Sequence, residues 1–453
     1  MPSVTVLGVN HETITLNYDS AANAHIASVI AAAISHGVEN GSIIPVNGGF
    51  GPIQIPPPLP GGKTGEFVQK NDGMSIMLPG YKDVVVTAGT ATVLGSGDAN
   101  EGILSSEGDL TFIATGGSGT VVAGGAASDH SWSGDDGSKD DNGSGDDRNG
   151  HDKDKGHHGD HGNHGGHGGK NAGGDLVIIP GSDNGNWGIY TGDGNDTVLA
   201  VGGGDDTIGA GGGRNLIQLG SGHDLVQSTG RDTITTGSGH DTIDATGAVQ
   251  DLVKGGTGDV LFLGGAGGVT LFGGAGSDTF EGGSGHALVY GGQGGHNSLL
   301  GGTGEATLFG GGAGDHLYAQ GAKAQGLFAG IGNETLSAAM ATGNDSLVAG
   351  SGKDQLIGGS GNDTFYGGTG ASTMMGGSGD NIFAFVKSLN GGTDLVVNFT
   401  SADKISLVDF GKHAVEQALA SQTFAPEGVT ITLSDNTRVT FAGISELTKH
   451  DFT

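Results

Sequence analysis

Ten aspartates recur at one position of a short repeat, and their regular spacing makes them the clearest candidates for a chemical role in this chain. Between Asp196 and Asn381 the sequence forms about twenty-one consecutive copies of a nine- or ten-residue unit, Gly-Gly-x-Gly-x-Asp-x-apolar-x. Calcium prefers oxygen ligands and takes about six to eight of them. The carboxylates at the sixth position are therefore predicted calcium ligands: Asp196, Asp206, Asp224, Asp232, Asp241, Asp251, Asp278, Asp345, Asp354 and Asp363.

The glycines of the same unit are predicted to supply further oxygens. Glycine adopts positive φ angles at no steric cost, so a Gly-rich turn can reverse tightly and direct several carbonyls toward one point. Each turn would stack on the next turn of the same side, about eighteen residues further on. The carbonyls predicted to join the aspartates are those of Gly192, Gly194, Gly202, Gly204, Gly220, Gly222, Gly237, Gly239, Gly350, Gly352, Gly359 and Gly361.

The repeats resemble the repeats-in-toxin (RTX) nonapeptides of bacterial proteins exported by type I secretion. The clearest copies lie at 237–243, 273–280 and 358–365. The resemblance implies an all-β chain that forms a right-handed parallel β-roll, or β-solenoid, of about ten or more coils. It also implies multiple bound Ca²⁺ ions, and a chain that is disordered inside the cell and folds on meeting millimolar calcium outside.

The copies are unequal, and this predicts where calcium binds. Aspartate at the sixth position is concentrated in 192–254 and 343–365. Between these stretches Asp278 is the one aspartate at that position, and other residues occupy it elsewhere, among them His316 and Glu334. We expect the middle coils to depend on packing and on backbone hydrogen bonds instead.

An outward-facing apolar row is predicted on one sheet of the middle coils. In alternate repeats, the residue after the inward apolar position would stack at about 4.8 Å per coil. A terminal segment covering this row, a role in stiffening the sheet, self-assembly and ligand binding all remain open. The candidate assembly face consists of Phe272, Tyr290, Phe309, Phe328 and Tyr366, with Val348 within the row.

Composition restricts the classes of partner and the cellular locations that we expect for this protein. The formal net charge is −31, from 49 acidic and 18 basic residues, and there is no cysteine. This charge argues against nucleic acid and anionic lipid as partners unless calcium bridges them. The N-terminus lacks the basic and apolar regions of a Sec signal peptide, and we expect no membrane span. Residues 447–453 resemble the C-terminal signal of type I secretion, so a secreted or cell-surface protein is expected.

Changes in composition predict six segments. An Ala-rich helix from Ser20 to Ser35 follows a first strand, and residues 45–60 hold six of the ten prolines. The predicted segments are a strand–helix module at 1–44, a Pro-rich linker at 45–63, an irregular start of the solenoid at 64–125, a flexible Gly/Asp/His-rich insertion at 126–173, the RTX-like solenoid at 174–385, and a β-rich cap with the secretion signal at 386–453.

The insertion carries histidines that are candidate ligands for zinc, nickel or copper, because imidazole suits these metals. A solvated spacer without a specific metal site explains the same composition. The candidates are His157, His158, His161, His164 and His167, with His151 preceding them.

No recognised catalytic motif is present: the chain lacks a Gly-x-Ser-x-Gly elbow, a His-Glu-x-x-His helix and a phosphate-binding loop. The leading hypothesis is a non-enzymatic structural protein that polymerises outside the cell under calcium control, as a surface layer, matrix or filament. An adhesin for polysaccharide, ice or a host surface is the alternative. A secreted enzyme with an unrecognised site is the third hypothesis.

Overall fold

Two long parallel sheets dominate the computed structural model, which describes residues 2–18, 20–87, 89–106, 109–123, 174–312, 314–387, 389 and 391–453. The chain winds through about 16 turns of a parallel β-solenoid, and each coil contributes one strand to each sheet. The expected all-β solenoid with a small α/β module at its N-terminus is confirmed.

The first sheet carries the candidate assembly face. Its strands pair in parallel along the solenoid axis. They are Ile53–Gln54, Gly73–Ile76, Thr90–Leu94, Asp109–Ile113, Leu176–Ile179, Thr197–Ala200, Leu216–Leu219, Thr233–Thr235, Gln250–Lys254, Gly268–Gly274, Ala287–Gly292, Ala306–Gly311, Gly326–Phe328, Ser346–Val348, Thr364–Tyr366, Ile382–Val386 and Lys404–Val408.

The second sheet runs alongside the first and ends in an antiparallel hairpin. The short strand Ser221–Gly222 pairs within the turns beside it. The parallel strands of the second sheet are Ile43–Asn47, Thr64–Gln69, Tyr81–Val86, Glu101–Ser105, Gly119–Val122, Trp187–Tyr190, Thr207–Ala210, Leu225–Ser228, Ser238–Ala245, Asp259–Gly264, Thr279–Glu281, Ser298–Leu300, His316–Gly321, Thr335–Ala341, Lys353–Ile357, Ala371–Met375, Thr393–Val397 and Arg438–Ala442.

A single apolar core fills the space between the sheets. In each repeat, the apolar residue two places after the sixth position has its side chain in the core, because side chains alternate between the faces of a strand. Ile243, Phe262 and Phe280 are at most 1% exposed, and the rings of Phe262 and Phe280 stack at 5.4 Å. Each coil therefore buries its apolar residue only by stacking on its neighbours.

The N-terminal module packs on the outer face of the second sheet. It consists of the antiparallel strands Ser3–Leu7 and Thr13–Asn17, the short 3-10 turn Val9–His11, and the helix Ala21–Glu39. Ser20 begins the helix, where its hydroxyl accepts a hydrogen bond from the Asn23 backbone N–H at 3.0 Å. The helix forms one apolar cluster with outward residues of the sheet: Val68, Val85, Leu104 and Val122.

This helix bears on the expectation that no segment spans a membrane. Of the described residues, one helix, Ala21–Glu39, is long and apolar enough to cross a bilayer by length and composition, with a mean hydropathy of 1.3. Its face bearing Ala27, Ala31 and Ile34 is buried. The same helix therefore serves as a packing element of the N-terminal module.

The Pro-rich segment 45–63 is not a linker in the structure, which corrects that prediction. Ile43–Asn47 pairs in parallel with Thr64–Gln69, and Ile53–Gln54 pairs with Gly73–Ile76. The segment therefore forms the first coil. Proline is compatible with an edge strand, where its missing N–H faces no partner, so a run of prolines did not exclude a coil here.

The C-terminal segment extends the solenoid before closing it. Thr393–Val397, Lys404–Val408 and Arg438–Ala442 continue the two parallel sheets beyond the predicted end of the solenoid at residue 385. Gly428–Thr432 pairs antiparallel with Arg438–Ala442, and Thr423–Ala425 adds an outer strand. The helix Ala414–Ala420 and the 3-10 turn Lys449–Asp451 complete this end, where Phe452 bridges to Ile405.

A buried carboxyl pair lies beside the N-terminal module. Glu66 is 0% exposed, both of its carboxyl oxygens lack a hydrogen-bond partner, and it stands in register with Asp83 on the next strand. Burial raises the pKa of Glu66 to about 8, and the charges of Asp83 and Glu12 add to this effect. Burial likewise raises the pKa of Asp83 to about 7, against the opposing charge of Lys82. Glu12 itself pairs with Lys70.

We predict that rising pH loosens the N-terminal module through Glu66. The folded chain retains a proton on this group between the ordinary glutamate pKa of 4.5 and the raised pKa of about 8. The stability that this proton gives is therefore fully present below pH 4.5 and is lost as pH rises through about 8. Hydrogen exchange of Ala21–Glu39, corrected for intrinsic rates at pH 6 and pH 9, should show this loss in the wild type. Glu66→Gln should reduce it.

The exposed Glu39 at the end of the same helix provides the matched control. Glu39→Gln should leave the loss of protection at high pH unchanged. Equal losses in the wild type and in Glu66→Gln would contradict the role of the buried carboxyl.

Candidate calcium centre

The ten predicted aspartates point inward at the turns and form columns along the solenoid. All ten are between 1% and 3% exposed. One carboxylate oxygen of each accepts a hydrogen bond from the backbone N–H one coil earlier on the same side. Asp224 accepts from Asp206 N–H at 2.8 Å, for example, and Asp363 accepts from Asp345 N–H at 2.8 Å. The columns therefore link consecutive coils.

The second carboxylate oxygen is often left without a protein partner. The Oδ2 atoms of Asp241, Asp251, Asp278 and Asp345 are buried and make no hydrogen bond. Those of Asp354 and Asp363 accept from the N–H groups of Gly350 and Gly359 at 2.7 and 2.8 Å. A buried, unpaired carboxylate oxygen is costly, and an ion is one of the few groups that can satisfy it.

The predicted glycine carbonyls line the same turns. Each of the twelve carbonyl oxygens lies against the glycine at the same repeat position one coil later on the same side. A Cβ on that glycine would overlap the oxygen. Gly239, for example, has φ +128° and lies directly against the carbonyl oxygen of Gly222. Because a side chain here would fill the cradle, the turns require glycine at both repeat positions.

Electrostatics favour a cation in these turns. Burial raises the pKa of Asp206 to about 7 and those of Asp224, Asp251, Asp278 and Asp345 to about 6. Like-charged neighbours within the columns, such as Asp224 beside Asp206, act in the same direction. A nearby divalent cation would favour the ionised form instead.

The donor set fits calcium, a hard cation that takes oxygen ligands in a flexible shell. Consecutive same-side coils offer two carboxylates, and the glycine carbonyls supply further oxygens. In the part of the chain that the structure describes, no three His, Cys, Asp or Glu side chains converge on one point. The backbone must therefore provide part of any shell here.

The columns are longer than the sequence repeats suggested. Asp175, Asp394 and Asp403 also point inward and accept backbone N–H hydrogen bonds from Leu110, Ser372 and Asn381. Asp315 is 0% exposed and accepts from Asn297 N–H at 2.8 Å, whereas His316 is exposed. Placing His316 at the sixth position was thus wrong by one residue, because the three consecutive glycines at 310–312 let the Gly-Gly-x-Gly pattern match one residue too late.

The columns are also interrupted. On the first-sheet side, Val269, Ala287 and Ala306 follow Asp251 in register, and on the other side Val260 follows Asp241. These positions, each of which is one rung of a column, carry no carboxylate. The expected shortage of acidic groups in the middle therefore applies mainly to the first-sheet side.

Gln325 fills one of these rungs and was missed from the sequence. Its Nε2 donates to the carbonyls of Gly302 and Gly304 at 2.9 and 3.0 Å, and to the Gln320 carbonyl at 2.8 Å. Gly302 and Gly304 occupy the same repeat positions as the predicted calcium-binding glycines Gly192 and Gly194. An amide donor thus satisfies carbonyls at the repeat positions that are predicted to bind calcium in other coils.

The aromatic row forms a continuous stack for four coils. Phe272, Tyr290, Phe309 and Phe328 stand in register, with ring centroids 5.1, 4.8 and 4.7 Å apart. Phe272 is 44% and Tyr290 36% exposed. Val348 separates Phe328 from Tyr366.

The candidate histidines of the insertion, His157, His158, His161, His164 and His167, lie outside the described residues.

We predict that removing charge from one column weakens calcium-induced folding. Asp224→Asn with Asp241→Asn keeps an acceptor for the backbone N–H, as Asn215 does for Asp196 N–H at 2.9 Å. Losing one site with a Kd of ~0.1 mM would remove roughly 1.4 kcal/mol at ~1 mM calcium. Circular dichroism during a calcium titration should show a higher midpoint.

The control for this variant is Asp244→Asn, which removes an outward carboxylate of the same coil that accepts from Thr246. Its calcium midpoint should match that of the wild type. Equal midpoints for the column variant and the wild type would contradict the ligand assignment.

We predict that Gln325 stabilises its coils without calcium. Gln325→Ala would leave three carbonyls without their donor, at a cost of roughly 1–3 kcal/mol for each buried group left unsatisfied. Hydrogen exchange at saturating calcium should show faster opening of 298–328 in the variant. Unchanged exchange there would show that the amide is dispensable. Gln325→Glu, which retains the shape and supplies a carboxylate, should make these coils newly dependent on calcium.

The family comparison agrees with this geometry. The family model for the RTX calcium-binding nonapeptide repeat (4 copies) matches residues 190–226, 228–248, 255–289, 341–374 and 366–384. The unmatched interval 290–340 contains Ala306 and Gln325, two of the four first-sheet positions that interrupt the column. No curated protein matches the chain. This match and the parallel β-solenoid together fit an RTX β-roll protein, whose repeats bind calcium at multiple sites.

Proposed function

We propose that the protein is a secreted structural protein that calcium folds outside the cell and that then self-assembles into a surface layer, matrix or filament. RTX repeats indicate a secreted calcium-binding protein. The aromatic stack on the first sheet is the observation that carries the assembly step. In the proposed route, residues 447–453 serve as the type I secretion signal.

Calcium is the trigger in this proposal. The ten inward aspartates and the twelve glycine carbonyls are the assigned ligands. Without the ion, columns of buried carboxylates oppose folding, and a net charge of −31 opposes contact between copies. Binding compensates the buried carboxylates and reduces the net negative charge, so folding and assembly occur only where calcium is plentiful.

The proposed occupant of the aromatic face is a second copy of the chain. The rings of Phe272, Tyr290, Phe309 and Phe328 repeat every 4.7 to 5.1 Å. A partner with the same period can meet every ring, and another solenoid of this chain has that period. The face continues into an apolar groove of 560 Å³ lined by Val348, Tyr366, Val386 and Leu389, among others.

Ring geometry disfavours a sugar on the stack itself. Each inner ring has both faces against neighbouring rings, at angles of 2° to 20° between planes. The stack therefore presents ring edges, whereas sugars pack on ring faces. A polar groove of 590 Å³ nearby, lined by residues such as Gln250, Thr270, His286 and Glu305, is what favours the adhesin alternative.

The test is negative-stain electron microscopy of the full chain in EGTA and in ~2 mM calcium, a concentration above the ~0.1–1 mM Kd range of extracellular calcium modules. The wild type should assemble only with calcium. Tyr290→Ser with Phe309→Ser should still fold in ~2 mM calcium, as circular dichroism would show, but should assemble only at a much higher protein concentration. Each buried aromatic contributes roughly 2 kcal/mol, which corresponds to more than tenfold in affinity.

The matched control lies on the opposite sheet, where Leu300 and Tyr318 also occupy adjacent outward positions. Leu300→Ser with Tyr318→Ser should assemble like the wild type. A monomeric wild type in calcium would overturn the proposal, and sugar binding by that monomer would identify an adhesin. Assembly of the aromatic variant at wild-type concentrations would remove the stack from the interface.

A further inference from the structure

Two histidines stack on the outside of adjacent same-side turns. His223 and His240 each precede an inward aspartate of the second-sheet column, Asp224 and Asp241. Their ring centroids lie 5.3 Å apart and their planes differ by 2°. Both side chains are largely exposed, at 65% and 66%. The coil stacking therefore holds two accessible imidazoles side by side.

Each imidazole has its own carboxylate partner. Nδ1 of His223 lies 3.4 Å from Asp205 Oδ1, and Nδ1 of His240 lies 2.9 Å from Asp259 Oδ2. The backbone fixes both acids: Asp205 accepts from His223 N–H at 2.8 Å, and Asp259 accepts from Ser277 N–H at 2.7 Å. The four residues form one outer column in the order Asp, His, His, Asp.

This pairing is the arrangement that supports metal-binding histidines. A ligating histidine commonly directs its other ring nitrogen to a carboxylate, which fixes the tautomer and strengthens the ligand. With Nδ1 turned toward the acid, Nε2 of each ring is left to bind. Because both side chains are exposed, rotation about their side-chain bonds can bring the two Nε2 atoms toward one ion.

We infer that His223 and His240 together bind a first-row transition-metal ion such as Zn²⁺, with Asp205 and Asp259 as outer hydrogen-bond partners. Among the described residues no third His, Cys, Asp or Glu converges with them. Water therefore completes the shell. Imidazole nitrogen suits zinc, whereas calcium takes oxygen, so the inner and outer columns of the same turns select different metals.

The site depends on the fold, because only stacked coils bring these two histidines together. An ion that binds the folded coils and not the open ones stabilises them. Zinc should therefore slow the opening of the coils that carry the site, in protein already folded with calcium.

The test is hydrogen exchange of the full chain in ~2 mM calcium, with and without Zn²⁺ at about ten times its Kd. Peptides within 221–245 should exchange about tenfold more slowly with zinc. His223→Asn with His240→Asn should abolish this protection while the calcium-induced circular dichroism stays unchanged. Exchange is measured in the peptides within 221–245, so zinc bound by histidines elsewhere does not produce the same protection.

Two further variants sharpen the result. His286 also lies near a carboxylate, at 3.4 Å from Glu305, but no second histidine stacks on it in the described part of the chain. His286→Asn should retain the protection of 221–245. Asp259→Asn should weaken zinc binding by about 10- to 100-fold, the usual effect of losing an outer partner. Absence of zinc-dependent protection in the wild type, or its persistence in the double histidine variant, would overturn the inference.

Discussion

Burying rows of carboxylates inside a stack of coils is the constraint on which the rest of the structure depends. A carboxylate removed from water needs a compensating charge or a full set of hydrogen bonds. The backbone N–H of the preceding coil satisfies one oxygen of each aspartate, and at Asp241, Asp251, Asp278 and Asp345 the other oxygen makes no hydrogen bond within the protein. On the proposed ligand assignment, calcium resolves this imbalance only when two coils are stacked. Metal binding and coil formation are therefore one process.

The interruptions in the columns show other solutions to the same problem. Val260, Val269, Ala287 and Ala306 remove the charge, while Gln325 supplies an amide donor to the buried carbonyls of Gly302 and Gly304. Glu334 retains a carboxyl group, and burial raises its pKa to about 8, so a proton can compensate there. We therefore expect the middle coils to need less calcium. The aromatic stack from Phe272 to Phe328 occupies this region, where ring contacts add stability between coils.

Periodicity made the solenoid and its aspartates predictable. A glycine–aspartate repeat with an inward apolar residue specifies the turn, the strand and the face of each side chain in the same few residues, as at 237–243. The aromatic row followed from the same count. Elsewhere the pattern was misleading: three consecutive glycines at 310–312 let it match one residue too late and concealed Asp315, and the proline-rich residues 45–63 carry no repeat signal although they form a coil.

Contacts distant in sequence were also unpredictable. The helix Ala21–Glu39 was expected, but not its position on the outer face of the second sheet. Glu66 resembles an ordinary surface residue until that module covers it. Gln325 lies in a copy without aspartate, and only the stacked coils reveal that its amide reaches Gly302 and Gly304. Such features arise from which coils become neighbours, and a single repeat does not encode that information.

The most direct test of the calcium columns is a crystal structure of the full chain grown with calcium, with the ions located by anomalous scattering. We predict two rows of peaks inside the turns, spaced by about 4.8 Å where acidic positions are consecutive. We also predict a gap on the first-sheet side across Val269, Ala287, Ala306 and Gln325. Peaks confined to the outer surface, or an uninterrupted row through those four residues, would contradict the assignment of calcium to the aspartate columns.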